Sequence, residues 1–261
     1  MLSALWQYRY FMLSMVQGDL KSRIARSYVG AGWFILHPMA HGLMLAVMLS
    51  EALGSRLPQV GDKYAYAIFV LSGMAAWGLF TDVVTRSSTV FIDQGPVLKK
   101  IAFPRMCLPL IVLSSAMINH TMVLIATFLL ILATGHSLGL ALFSILIGIA
   151  LLVSLAFGLG LILGVFNTFS RDVGHVTGVL LQLWFWITPI VYSPQMLPEH
   201  LRWILATNPL TPLVGIYQDA FLLNKLPDPQ ALVIPGLLAL FLLASAFVLF
   251  RRASRDLWDA L

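Results

Sequence analysis

Charge is what this chain has least of. Of its 261 residues only 10% are Asp, Glu, Lys or Arg, while 59% are hydrophobic. Mean hydropathy is +0.90. A soluble domain of this length needs a charged surface, so a polytopic membrane protein is expected. There is one cysteine, Cys107, which excludes an internal disulfide and a cysteine-rich metal cluster. No glycine is followed by lysine, so the lysine-bearing loop that cradles nucleotide phosphates is missing. HExxH and CxxC are missing too. We therefore expect no catalytic residue, no metal and no ATP hydrolysis in this chain. Arg9 and several aromatics precede the first long apolar run, which is not the order of a cleavable signal peptide. The net charge of +5 does not point to nucleic acid, because the basic residues sit in short clusters beside apolar runs.

What is present is six long apolar runs, at about 29–50, 65–85, 106–133, 139–166, 174–193 and 231–250. Each is long enough to cross an apolar layer of ~30 Å. An even number puts both termini on one side. Twelve basic residues fall on that side: Arg9, Lys21, Arg23, Arg26, Arg86, Lys99, Lys100, Arg105, Arg171, Arg251, Arg252 and Arg255. Four fall on the other: Arg56, Lys63, Arg202 and Lys225. The bias makes the terminal side cytoplasmic. The expected fold is all-α and forms a single domain over 1–261. Residues 1–28 form a cytoplasmic interface helix and linker, and 29–193 hold spans one to five. Residues 194–230 form an external re-entrant hairpin, and 231–261 hold span six and a cytoplasmic tail.

Three segments have more specific expectations. Leu2, Leu5, Trp6, Leu13 and Val16 fall roughly on one helical stripe, as in a helix lying in the interface. The 193–230 connection has two apolar pieces of about a dozen residues, too short to span, with Thr211 expected as N-cap and Pro212 at N1. Such a pair reads either as a hairpin dipping into the membrane or as two flat interfacial helices. The third is Phe91–Leu110, a basic cluster between two apolar runs. A short helix starting near Asp93 would put Val97, Leu98, Ile101 and Ala102 on one face, with Lys99 and Lys100 opposite. Pro104 then disfavours helix at Phe103. The segment looks like a handle for something outside the membrane.

Other features have two readings. His37, His41, Met44 and Met48 share a stripe of span one. They are either soft-metal ligands or bundle packing, and the lack of an acidic or cysteine partner favours packing. Asp82, near the end of span two, is either a proton relay or a structural pair with Arg86 at i+4, and one carboxylate is a thin relay. Gly160/Gly164 and Gly174/Gly178 are spaced for close helix packing. The aromatics Trp33, Phe34, Trp77, Phe80, Trp184, Trp186 and Tyr192 are either interfacial belts or rings lining a path along which sugars slide.

These residues resemble a known family. DLKSRIARSYVGAGWFILHP at 19–38, LKKIAFPRMCLPL at 98–110, FSRDVGHV at 169–176 and ITPIVYSPQMLPEHLRWILATNPLTPLVGIYQDAF at 187–221 are similar to the ABC-2 membrane permeases that export O-antigen and capsular polysaccharide. The resemblance runs almost end to end. The abundance of small residues and methionine in spans one and two is a mild departure. The resemblance implies a homodimer of six-span subunits in the bacterial inner membrane, bound to two copies of a separate ABC ATPase that holds ATP and Mg. It implies a polysaccharide on a polyprenyl pyrophosphate lipid as substrate. It implies ATPase coupling through Val97, Leu98, Lys99, Lys100, Ile101, Arg105, Arg171 and Asp172. Arg23, Arg26 and Arg86 either gather the pyrophosphate at the cytoplasmic mouth or serve topology alone. Two other functions stay open: an ABC-2 permease for a drug or small lipid, and a secondary transporter. The latter usually has internal repeats and intramembrane charges, and neither is visible.

Overall fold

The computed structural model describes residues 6–24, 30–53, 64–95 and 103–253. Among them there is no strand, and the all-α expectation holds. The α-helices among these residues are α1 (Arg9–Ile24), α2 (Trp33–Leu53), α3 (Ala65–Asp93), α4 (Cys107–Ala133), α5 (Ser144–Phe169), α6 (Asp172–Ile187), the short α7 (Arg202–Thr207), α8 (Leu210–Gln218) and α9 (Val233–Ala253). Four of them, α3, α4, α5 and α9, are long and apolar enough to cross a membrane. α2 has 21 residues and α6 has 16. At 1.5 Å per residue, α6 is roughly 24 Å long, short of a ~30 Å hydrocarbon layer.

α3 is the hub, packing against α5, α4, α2, α8 and α6. Its most apolar stretch is 72% buried, against 17% for that of α9. α9 instead turns Ile234, Leu237, Leu240 and Phe241 outward. A continuous apolar face of this kind needs lipid or protein against it.

Glycines set the closest approaches. A Cβ at Gly164 would stand 2.5 Å from the Ser87 carbonyl oxygen, and one at Gly160 would stand 2.7 Å from Ser87 Cβ. The first glycine pair is therefore the seam between α5 and α3. Gly158 plays the same part toward α9, where a Cβ would meet the Leu242–Leu243 backbone at 2.8 Å. The second pair is different: Gly178 has nothing within 4 Å, and Gly174 faces the Asn167 side chain.

The cap of α8 differs from expectation. Asn208, not Thr211, does the work: its Oδ1 accepts the Leu210 N–H at 3.0 Å. Thr211 lies inside the first turn, and its buried hydroxyl has no partner. Pro212 is tolerated there because first-turn N–H groups lack intrahelical acceptors. α8 is sunk into the bundle, with Leu210, Leu213 and Tyr217 fully buried. It continues into a π-turn, Asp219–Leu223, and stops at Asn224 in the left-handed region (φ 49°), where asparagine is among the few side chains at ease.

Two boundaries also moved. α3 runs to Asp93, so Phe91 belongs to that helix, and the body of the short helix expected from near Asp93 falls on 96–102, outside the described residues. Phe91 is buried and stacks on Phe250 with ring centroids 5.8 Å apart. α6 stops at Ile187 rather than 193, because Thr188 precedes Pro189 and is extended (φ −93°, ψ 133°).

The stripe on α1 is shifted as well. Tyr8, Phe11, Met12, Met15 and Leu20 pack inward with Val16. Trp6, Tyr10 and Leu13 are exposed. Leu2 and Leu5 lie outside the described residues. α1 thus has two apolar faces: one covers α4, and the other is free to meet lipid headgroups. The Arg9 guanidinium sits over the Trp6 and Tyr10 rings at 5.0 and 4.5 Å.

Candidate functional site

One end of the bundle collects the features that the basic-residue count assigned to a common side. Asn167 near the end of α5 donates from Nδ2 to the Ser88 carbonyl at 2.8 Å. Its Oδ1 accepts the Gly174 N–H at 2.9 Å. This clamps the α5–α6 turn, with Arg171 and Asp172 exposed on it, against α3. The Phe11 and Phe103 rings, 4.8 Å apart, hold α1 against the approach to α4, where Arg105 sits. Phe91 and Phe250 bring in the end of α9, with Arg251 and Arg252 in its last turn. Val97, Leu98, Lys99, Lys100 and Ile101 lie outside the described residues, as do Arg26 and the side chains of Arg23 and Phe34.

At the same end, Arg86 Nη2 donates to Asp19 Oδ2 of α1 at 2.7 Å. The expected partner Asp82 stands farther off, with an N···O distance of 3.8 Å. Arg86 is thus held between two carboxylates, and the closer one belongs to the interface helix. It borders two cavities. The larger, about 510 Å³, lies among α2, α3 and α4 and is mostly apolar, with Trp33, Thr85, Asp82, Asn119 and His120 in its wall. The smaller, about 260 Å³, lies under α1 beside Ser14, Ser22 and Gln94. His37 lines the larger cavity. Among the described residues no group of three His, Cys, Asp or Glu is placed to hold a metal.

The aromatics form a connected set. Trp77 meets Phe80 at 5.8 Å and Phe185 at 5.7 Å, Phe80 meets Trp184 at 5.4 Å, and Phe185 meets Trp186 at 5.3 Å. Phe80 is fully buried and Trp77 is 8% exposed, so these two fasten α3 to α6. Trp33 at 50% and Trp186 at 61% are the rings open to the outside. Trp184 is half-buried, and its indole N–H donates to Asn208 Oδ1 at 3.0 Å. The Tyr192 hydroxyl donates to the Trp186 carbonyl at 3.0 Å.

Asn208 is the residue that sequence reasoning passed over. It accepts from Trp184 and Leu210, and it donates to Thr188 Oγ1 at 3.0 Å. It therefore ties the end of α6 to the start of α8. Gln218 adds a bond from Nε2 to the Pro189 carbonyl at 3.0 Å, and the Tyr66 hydroxyl donates to the Val191 carbonyl at 2.6 Å. The available signal was the Asn-Pro pair itself, which marks a turn. Beside this joint lies an apolar cavity of about 540 Å³, walled by Leu163, Leu180, Leu183, Trp184, Ile187 and Ile204.

Gly135–Gly139, GHSLG, has the G-x-S-x-G spacing of a hydrolase elbow. It joins two helices rather than a strand to a helix, and the His136 ring nitrogen Nε2 lies 3.1 Å from the Leu222 carbonyl. The strand–turn–helix geometry that exposes such a serine is not present there.

A family model described as "ABC-2 type transporter" matches residues 10–222. The chain is 28% identical over 261 aligned residues to an O-antigen export system permease protein (RfbA) of Myxococcus xanthus, covering 98% of this chain and 97% of that one. It is 28% identical over 206 residues to the protein of the same description from Klebsiella pneumoniae, covering 78% and 77%. To the polysialic acid transport protein KpsM of Escherichia coli it is 23% identical over 236 residues, covering 88% and 87%.

Proposed function

The chain belongs to the ABC-2 type transporter family, and from that membership we propose that it is the channel-forming subunit of an ATP-driven polysaccharide exporter. Its cargo is an O-antigen-like or capsule-like polymer on a polyprenyl pyrophosphate, moved from cytoplasm to periplasm. The observation that carries this reading is the near end-to-end similarity to an O-antigen export permease. Two copies of the chain span the bacterial inner membrane with six spans each and both termini cytoplasmic, α2 and α6 included among the spans. The 194–230 segment enters the membrane from outside and backs out, and the burial of α8 supports this. Two copies of a separate ABC ATPase bind ATP and Mg and do the hydrolysis, and the chain itself only transports.

The ATPase docks on the end of the bundle that holds α1 and the α5–α6 turn, and it engages the 96–102 segment. Lys99, Lys100, Arg105, Arg171 and Asp172 are its contacts, with Val97, Leu98 and Ile101 as the apolar part. Arg23, Arg26 and Arg86 gather the pyrophosphate at the cytoplasmic mouth. Exposed Trp33 and Trp186, with Phe34 and Tyr192, line the sugar path, while Trp77, Phe80 and Trp184 hold its wall in place. The test is a strain lacking the chain. Loss of its surface polysaccharide, restored by the wild-type chain, is expected. Normal surface polysaccharide would contradict the reading.

A second reading, export of a small lipid, is favoured by one observation. The cavity of about 540 Å³ beside Trp184 is walled almost wholly by apolar side chains, which suits an acyl chain better than a sugar. Unchanged polysaccharide with altered lipid composition in the same strain would select it.

A further inference from the structure

α1 lies at a definite level of the bundle. α3 has 29 residues, so it is roughly 44 Å long, the thickness of a bilayer with its headgroups. Asp19 of α1 bonds to Arg86, which stands about 10 Å in from the end of α3 by helix rise. Phe11 packs on Phe103, just before α4 begins. α1 therefore runs along the last part of the bundle, where hydrocarbon gives way to headgroups.

The face turned away from the bundle is aromatic, apolar and basic. Trp6, Tyr10 and Leu13 are exposed on it. At about 100° per residue, Tyr10, Leu13 and Gln17 form one stripe, with Arg9 and Lys21 at its two edges. The one acid of α1, Asp19, is half-buried and bonded to Arg86, so this outward face carries none. Arg9 is held in place. Its guanidinium sits over both rings, Nη1 donates to the Trp6 carbonyl at 3.0 Å, and Nη2 donates to the Tyr10 hydroxyl at 3.4 Å. A guanidinium has five N–H donors, so most of them are left for a ligand among the described residues. A planar fork already fixed at the surface suits the oxygens of a phosphate.

Level and charge together narrow the ligand. Trp and Tyr, apolar at one end and polar at the other, suit the headgroup layer, and Leu13 suits its acyl side. A face with cations and no acid favours a headgroup of net negative charge, since a zwitterionic one brings an ammonium that opposes the attraction. An acidic protein surface would meet the same charge, but the level of α1 in the bilayer decides for lipid.

We propose that the outward face of α1 is a binding site for an anionic phospholipid, its phosphate seated on Arg9 beside the Trp6 and Tyr10 rings. Lys21, about 18 Å along the helix, meets a neighbouring headgroup. Each such cation is worth about a fivefold change in partition at an anionic surface. The site does not depend on which cargo is exported. Through Asp19 and Arg86, a lipid held there fixes α3 to the same level as α1.

Gln17→Cys carries a fluorophore on the stripe, outside the bonding residues, in the full chain in nanodiscs. Cys107 is fully buried and stays in place. Phospholipids with a nitroxide high on the acyl chain quench a fluorophore that they touch. At equal mole fraction, labelled phosphatidylglycerol should quench several-fold more than labelled phosphatidylcholine. Arg9→Gln with Lys21→Gln should bring the two to equality. Gln7→Cys, also exposed, repeats the measurement should the first variant not fold. Equal quenching by both lipids in the chain with Arg9 and Lys21 intact would overturn the proposal, leaving an interface helix with no choice of headgroup. No quenching by either lipid at both positions would overturn it in favour of a face turned to water or to a protein partner. A preference that survives removal of Arg9 and Lys21 would overturn the assignment to these residues. No cargo enters this experiment, so its failure leaves the export reading standing, and normal surface polysaccharide in the deletion strain leaves this site standing.

Discussion

Arg86 ties α3 to α1 through one side chain, and its behaviour on substitution follows from its burial. Both partners of the Asp19 pair are partly covered, with 19% and 29% of their side-chain surface exposed. Removing either charge takes from the other its 2.7 Å ion-pair partner at a partly covered place, and we expect Asp19→Asn or Arg86→Gln to cost about 1–3 kcal/mol, between the exposed and buried limits for ion pairs. Thermal unfolding in detergent of the two single variants and the double variant would show it, with the double less than additive if the pair is real. Asn208→Ala should cost about 2–4 kcal/mol, because it strands the Trp184 indole N–H and a helix-start N–H and takes from the Thr188 hydroxyl one of its two bonds. The same melting experiment checks this, and Asn208→Ala melting like wild type would remove the joint from the account. The Asp82–Arg86 pair was legible from i,i+4 spacing, but Asp19 was not, because a contact 67 positions away leaves no local pattern. Asn208 was hidden for a related reason: its role lies in the three partners it joins, and only the turn is written locally.

At the scale of elements, the glycine spacing that looked weak in the sequence marks the tightest seam for one pair and nothing comparable for the other. Gly164→Leu must drive α5 off α3, because its Cβ would already press on the Ser87 carbonyl. Overpacking of this kind costs about 1–3 kcal/mol, and a lower yield of folded protein by size-exclusion chromatography is expected. Gly178→Ala, facing open space, should behave as wild type. If both variants fold equally well, the seam is not where the helices are held. Helix interiors were readable because long apolar runs admit few alternatives. Helix ends were not. α3 extends past its apolar run because Phe91 finds Phe250 to pack on, a tertiary gain that hydropathy does not register. α6 is cut short by Thr188–Pro189, a local signal that the apolar run around it masked. The stripe on α1 shifted because that helix has apolar residues on two faces, and the sequence does not say which one meets protein.

At the scale of the whole molecule, Arg86, Arg105, Arg171, Arg251 and Arg252, assigned to the terminal side by counting, lie on elements that come together at one end through contacts that do not depend on the count: Asn167 with Ser88, Phe11 with Phe103, and Phe91 with Phe250. The gathering leaves a composite surface for a partner on that end. The double variant Lys99→Glu with Lys100→Glu should insert normally yet recover less ABC ATPase on co-purification, with export reduced in proportion. Undiminished export would count against the 96–102 segment as the handle. The central claim is that this chain is a passive conduit for polysaccharide, driven by a motor on another chain. Reconstitution into proteoliposomes with a lipid-linked polysaccharide tests that claim most directly. The account predicts that polymer crosses only when the ABC ATPase and ATP are both present, and that the chain alone moves nothing under a proton gradient. Transport by the chain alone under that gradient, with no ATPase, would contradict it.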